Sequence, residues 1–211
     1  MRRRFLAVLA IAASFALSGA GQLPPPRAPL SDEQKADLDR VSAYLNSMNT
    51  LEGGFTQINP DGSINQGMFY IDKPGRMRFE YEPPAPILLV SDGSTVAVQN
   101  KRLNTVDRYP LWTTPLKLIL DKDVNLKHNS AIVGVEHQQG SLVIQARSSS
   151  MRAQGNITLV FSDPELELRQ WTVVDAQGLS TTVALRDMKA GVDLAPSLFV
   201  LNDKSKFTKD D

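Results

Sequence analysis

From residue 51 onward, apolar and polar side chains alternate with a period of two, and the alternation restarts after short turn signals. In RMRFEYE, residues 76–82, Met77, Phe79 and Tyr81 share one face, while Arg76, Arg78 and Glu80 share the other. In NITLVF, residues 156–161, Ile157, Leu159 and Phe161 share a face; in MFYI, Phe69 and Ile71 oppose Met68 and Tyr70. The pattern predicts eleven short strands over 51–57, 64–72, 76–82, 87–91, 95–99, 104–109, 130–138, 141–148, 155–162, 166–175 and 179–188. Asp61-Gly62, Pro74-Gly75, Asp92-Gly93, Gln139-Gly140 and Gln177-Gly178 supply turns between most of them. Short strands at such regular spacing predict an antiparallel meander curled into a barrel or half-barrel.

Two stretches break this period. In SDEQKADLDRVSAYLNSM, Ser31 is a good N-cap with Gln34 three residues on, and Asp32 and Glu33 suit the positive helix end. Leu38, Val41, Tyr44, Leu45 and Met48 then form one apolar stripe, which predicts a helix of about five turns. In YPLWTTPLKLIL, Thr114 is a candidate N-cap with Pro115 at the first helical position, followed by Leu116, Leu118, Ile119 and Leu120; this reads as a short apolar second helix. LAPSLFVL, residues 194–201, predicts one further helical turn. A curled sheet with one apolar face must cover it. Either the helices fill the concavity, or they form a lid with room left for an apolar ligand. Eleven strands enclose more space than two short helices readily fill, and the inward Met and aromatic side chains adapt to variable apolar partners.

The chain ends change the picture of where the fold begins. Arg2, Arg3 and Arg4 precede an apolar run over 5–17 and the small residues Ser18-Gly19-Ala20, the layout of a secretory leader over 1–20, cleaved after Ala20. An uncleaved anchor is the alternative, disfavoured by the absence of a polar stop-transfer flank. Residues 21–30 hold four prolines and read as an extended linker. Residues 31–211 are expected to form one domain, ending in the polar tail NDKSKFTKDD. The whole chain balances 23 basic against 23 acidic side chains. Loss of the three leader arginines leaves 20 against 23, which argues against a nucleic-acid surface. The chain has no cysteine, so neither disulfides nor a lipid-bearing lipobox cysteine is available.

The chemistry of catalysis is sparse. Of the two histidines, His128 falls in a polar connection and His137 at the polar end of a strand, and neither has Asp or Glu at metal-ligand spacing. Ser91-Asp92-Gly93 reads as a hairpin tip rather than a nucleophile. Glu80 and Glu82 alternate with Tyr81 toward solvent, without the burial that raises a carboxyl pKa for acid catalysis. Nucleophile-elbow, phosphate-loop and dinucleotide-binding glycine motifs are missing. These features predict no enzyme, no metal and no cofactor; a lipid-processing hydrolase is the residual catalytic option.

Four motifs in order carry a resemblance: Phe55-Thr56-Gln57 after an amphipathic helix, Asp61-Gly62 with Gly67 and Phe69, KPGRMRFEYEPP over 73–84, and LVSDG over 89–93. Together they make the chain similar to the periplasmic outer-membrane lipoprotein carriers of the LolA type. The resemblance implies a mainly β fold with some α: an incomplete antiparallel barrel of about eleven strands under a helical lid, over an apolar cavity. It implies a monomeric periplasmic carrier, without a cofactor, that shields the acyl chains of lipoproteins. Cargo would come from an inner-membrane ABC transporter of the LolCDE type and pass to the outer membrane, directly or through a LolB-type receptor. On this basis Phe55, Met77, Phe79, Tyr81, Leu88, Val90, Phe161 and Trp171 are the expected cavity residues, and Leu45, Met48, Leu116 and Ile119 the expected lid residues. The family commonly has an arginine where this chain has Lys73, held to bond lid backbone and keep the empty cavity shut. Lys73 is thus a latch candidate with a single ammonium instead of a planar fork. An envelope-stress sensor of the RseB type is the alternative on the same architecture, usually with an additional domain.

Overall fold

The computed structural model describes residues 29–147 and 155–201; the expected leader, most of the linker and the polar tail lie outside them. Helix α1, Asp32–Ser47, leads into β1, Thr50–Ile58. The strands β2, Ile64–Asp72, β3, Arg76–Tyr81, β4, Ile87–Asp92, β5, Thr95–Asn100, and β6, Thr105–Pro110, follow as a meander. After a 3-10 turn, Leu111–Thr113, and the four-residue α2, Lys117–Leu120, a second meander begins. It consists of β7, Ile132–Gln138, β8, Ser141–Arg147, β9, Asn156–Ser162, β10, Leu168–Val174, and β11, Ser180–Ala190. A 3-10 turn, Pro196–Phe199, ends the described chain.

All eleven strands form one sheet in the order β6-β5-β4-β3-β2-β1-β11-β10-β9-β8-β7. The β1–β11 pair joins the two meanders in the middle, antiparallel like every other pair. β6 and β7 stand at opposite edges, so residues 111–131 run from one rim of the open sheet to the other. Phe79 on β3 and Trp171 on β10 show how far the sheet curls. Four strand spacings separate them, about 19 Å on a flat sheet, yet their ring centroids lie 6.0 Å apart. Register shifts at Glu52/Gly54, Ile132/Gly134 and Leu168/Gln170 supply local extra twist.

Burial follows the alternation. Phe69 and Ile71 are buried on β2, Met77 and Phe79 on β3, and Ile157, Leu159 and Phe161 on β9, all toward the concave face. Helix α1 lies against that face through Leu38, Val41 and Leu45, which have no exposed surface, and Tyr44 meets Phe161 edge-on at 6.0 Å. The expected capping box is present: Gln34 N–H donates to Ser31 Oγ at 3.1 Å, and Ser31 N–H donates to Gln34 Oε1 at 2.9 Å. The turn Pro196–Phe199 packs on the convex side, where Arg78 donates to the Leu198 carbonyl and the Arg76 guanidinium lies 5.6 Å from the Phe199 ring centre.

Three expectations need correction. The second helix is four residues long rather than a run from Thr114, because Thr114 Oγ1 donates back to the Leu111 carbonyl instead of capping forward. Ser91 is not at a hairpin tip: it is a fully buried residue of β4, and the turn falls at Gly93. Leu88 and Val90 are buried, but on the convex side. β3–β4 pairing sets Leu89 opposite Phe79, and leaves Leu88 opposite Glu80 and Val90 opposite Arg78. ILLV is apolar at every position, so it conceals which residues face inward, and only the pairing register decides.

Candidate functional site

The concave face is an aromatic floor. Phe55 contacts Phe79 at 5.0 Å and Tyr81 at 4.9 Å between ring centres, and Phe79 stacks on Phe69 at 5.7 Å. Two glycines make room for these rings. A Cβ on Gly67 would lie 2.7 Å from the Phe55 ring and 2.1 Å from the Glu80 carbonyl oxygen; one on Gly53 would lie 2.9 Å from the Phe69 ring. Tyr81 is the polar end of the floor. Its hydroxyl donates to Gln57 Oε1 at 2.6 Å, and burial pushes its pKa up to about 12.

The cover has two pieces, α1 and the segment 111–131, sewn together by side-chain-to-backbone bonds. Asn46 Nδ2 donates to the Val124 carbonyl at 2.9 Å, and Val124 N–H donates to Asn46 Oδ1 at 2.8 Å. Leu126 N–H donates to Ser42 Oγ at 3.0 Å. From this second piece Ile119, Leu120, Val124 and Leu126 enter the same apolar core as Leu45.

The β2–β3 hairpin holds both pieces down. Lys73 Nζ donates to the Leu45 carbonyl at 2.8 Å, and Gly75 N–H donates to the Leu120 carbonyl at 2.9 Å. A helix leaves its last carbonyls without intrahelical donors and carries partial negative charge there. α1 has no basic residue in its last turn, so Lys73 brings the complementary cation from another element. Burial pushes the Lys73 ammonium below its usual 10.5, opposed by Asp121 and Asp123. Gly75 is needed for this grip: its φ is +74°, and a Cβ there would lie 2.7 Å from the Gly93 backbone.

The structure brings Phe55, Met77, Phe79, Tyr81, Phe161 and Trp171 together on the concave side under Leu45, Met48, Leu116 and Ile119. Leu88 and Val90 do not join them; Leu89 and Val98 occupy the inward positions instead. Much of the floor is filled by the chain itself: Phe55, Phe69, Phe161 and Leu45 are 0% exposed. A cavity of about 470 Å³ opens beside the cover, between the 111–131 segment and the β8–β9 end of the trough. Leu118, Val124, Ala131, Ala146 and Ile157 line its apolar part, with Trp112, Lys117, His128 and Arg147 also on its walls. Sequence patterns give no hint of Ser42, Asn46 and Gly75 as the seam, since each is a small polar or turn residue whose partner is distant backbone.

Among the described residues, no group of three His, Asp or Glu side chains is placed to hold a metal ion, and no helix is long and apolar enough to cross a membrane. Ser91 Oγ accepts a long bond from Gly93 N–H at 3.4 Å, while His128 bonds Asn125 and His137 bonds Asp37. No serine-histidine pair is formed by these three residues.

Comparison of the sequence with known proteins points to one family. The family model described as outer membrane lipoprotein carrier protein LolA matches residues 46–202. An outer-membrane lipoprotein carrier protein of Chromohalobacter salexigens is 28% identical over 210 residues, covering 93% of this chain and 92% of that one. Another, of Methylococcus capsulatus, is 26% identical over 178 residues, covering 80% and 85%. Among solved structures, an uncharacterized conserved protein of Thermus thermophilus covers 84% of this chain and 96% of its own at 12% identity, with a TM-score of 0.48.

Proposed function

Because this chain belongs to the outer membrane lipoprotein carrier protein LolA family, we propose that it is a periplasmic carrier that takes lipoprotein acyl chains into the concave trough and shields them from water between the two membranes. The observation that supports this best is a cover built separately from the sheet. An aromatic floor lies under two pieces of chain that belong to no strand, held down at the β2–β3 hairpin by the Lys73 and Gly75 bonds.

The magnitudes suit reversible loading. Lifting the cover exposes Leu38, Val41, Leu45, Ile119, Leu120 and Leu126; at about 1.5–3 kcal/mol each, this costs about 9–18 kcal/mol. An acyl chain of about 15 methylenes gains about 12 kcal/mol on leaving water, at about 0.8 kcal/mol per methylene. The two are comparable, so cargo replaces the cover's own side chains on the floor, and release needs a modest difference in affinity. No covalent bond is made or broken. Cargo would arrive from a LolCDE-type ABC transporter and leave to the outer membrane, directly or through a LolB-type receptor. Phe55, Met77, Phe79, Tyr81, Phe161 and Trp171 would contact the chains, and Lys73 would hold the empty state shut.

The test is copurification of the chain with a coexpressed lipoprotein, beside the same lipoprotein with its acylated cysteine replaced by serine. Association with the acylated form alone is the expected result. Equal recovery of both forms, or of neither, overturns the proposal.

A further inference from the structure

Far from the Lys73 latch, four charged side chains from three elements close a ring. Asp37 and Arg40 come from α1, His137 from β7, and Asp163 from the turn 163–167. Arg40 Nη1 donates to Asp37 Oδ1 at 3.0 Å, and its Nη2 donates to Asp163 Oδ1 at 2.9 Å and to the Pro164 carbonyl at 3.2 Å. His137 Nε2 lies 2.7 Å from Asp37 Oδ2, and its Nδ1 lies 3.3 Å from Asp163 Oδ2. Each of the four carboxylate oxygens thus has one nitrogen partner. Asp37 is 4% exposed, and an ionised carboxylate so buried needs such partners.

A neutral imidazole has one N–H and one lone pair; only the imidazolium donates from both nitrogens. With a carboxylate facing each nitrogen, the ring closes only when His137 carries both protons. Two anions then meet two cations. After the proton leaves, one carboxylate oxygen faces a lone pair and the ring keeps a net negative charge. The charged groups around the imidazole are Asp37 and Arg40 from α1 and Asp163 from the turn. Glu136, next to it on β7, pairs with Val143 on the convex side, and β8 sets apolar Leu142 opposite His137.

α1 is joined covalently to the sheet at its C-terminal end, through Asn49 into β1. The ring and the bond from Gln34 Nε2 to the Val135 carbonyl hold the opposite end. We propose that this ring is a proton-dependent clasp on the far end of the cover helix, which lets α1 swing outward when His137 loses its proton.

The hydrogen bond to Asp37 is the main cause that raises His137 above its ordinary 6.5. The folded chain then holds this proton more tightly than the unfolded chain. The clasp is complete below 6.5 and weakens as pH rises through the raised folded value. Asp163 sets the acid limit. Held below its ordinary 3.8 mainly by the Arg40 bond, it contributes above 3.8 and fails as pH falls through the lowered value.

The experiment is an NMR titration of the imidazole signals in the full mature chain, with amide hydrogen exchange of α1 at each pH expressed as protection factors. His137→Gln assigns the signal. The expected result is a His137 titration above 6.5, a severalfold loss of α1 protection across it, no such step in His137→Gln, and a downward shift of the titration in Asp163→Asn. Titration at or below 6.5, or an unchanged step in His137→Gln, overturns the clasp. Neither readout uses cargo, so the outcome is independent of the carrier proposal.

Discussion

At the scale of single residues, the closest fits lie under the aromatic rings. Gly67→Ala must push a backbone carbonyl and the Phe55 ring aside. The expected loss is about 3 kcal/mol or more by urea denaturation, the upper range for overpacking; a loss under about 1 kcal/mol would show that the floor yields easily. Lys73 makes the opposite kind of prediction. Its bond to the Leu45 carbonyl is offset by the burial of its ammonium, so Lys73→Met should move global stability by only about 1 kcal/mol. Uptake of a dansylated fatty acid should nonetheless become faster, because the bond spans the seam that the proposed loading would open. Equal uptake rates in parent and variant would remove Lys73 from the gating step. The inward Met77, Phe79 and Tyr81 are legible from the alternation RMRFEYE. Leu88 and Val90 are misread from sequence because ILLV has no polar partner to mark its faces. His137 is legible as a strand residue and no more, since its partner Asp37 lies 100 positions away.

At the scale of elements, most strands are readable because period-two alternation and turn signals, several of them Gly-containing, reinforce one another, and α1 because its cap and stripe agree. The 111–131 segment is readable only as apolar. Its shape depends on borrowed partners: the backbone of Val124 and Leu126 is bonded by Asn46 and Ser42 of α1, not by a helix of its own. Asn46→Ala should therefore cost about 3 kcal/mol, since it strips the Val124 N–H and carbonyl of their partners at about 1–3 kcal/mol each, and Val124 is 5% exposed. Asn46→Asp keeps the acceptor but sets a carboxylate oxygen against the Val124 carbonyl at the negative end of α1, and should cost at least as much as Asn46→Ala. Chemical denaturation of the three proteins checks the order. If Asn46→Ala matches the parent, the two pieces of the cover are not coupled through this residue.

At the scale of the whole molecule, the two tryptophans report on where an acyl chain goes. Trp171 is 5% exposed in the trough, and Trp112 is 66% exposed on the wall of the outer cavity. A brominated fatty acid that enters the trough should quench Trp171, so Trp112→Phe should leave most of the quenching in place. Quenching that vanishes with Trp112 would confine the ligand to the outer cavity. Saturation at about 100 times the dissociation constant should add about 2.7 kcal/mol of stability.

The topology bears on how wide any mouth can become. Residues 111–131 are fastened to both free edges of the sheet, at β6 and at β7. Like an awning tied to two posts, this stretch can billow but cannot swing clear, and under the proposed loading its slack would set the largest headgroup able to pass beneath it. Inserting a few glycines there should admit bulkier amphiphiles without altering a single floor residue.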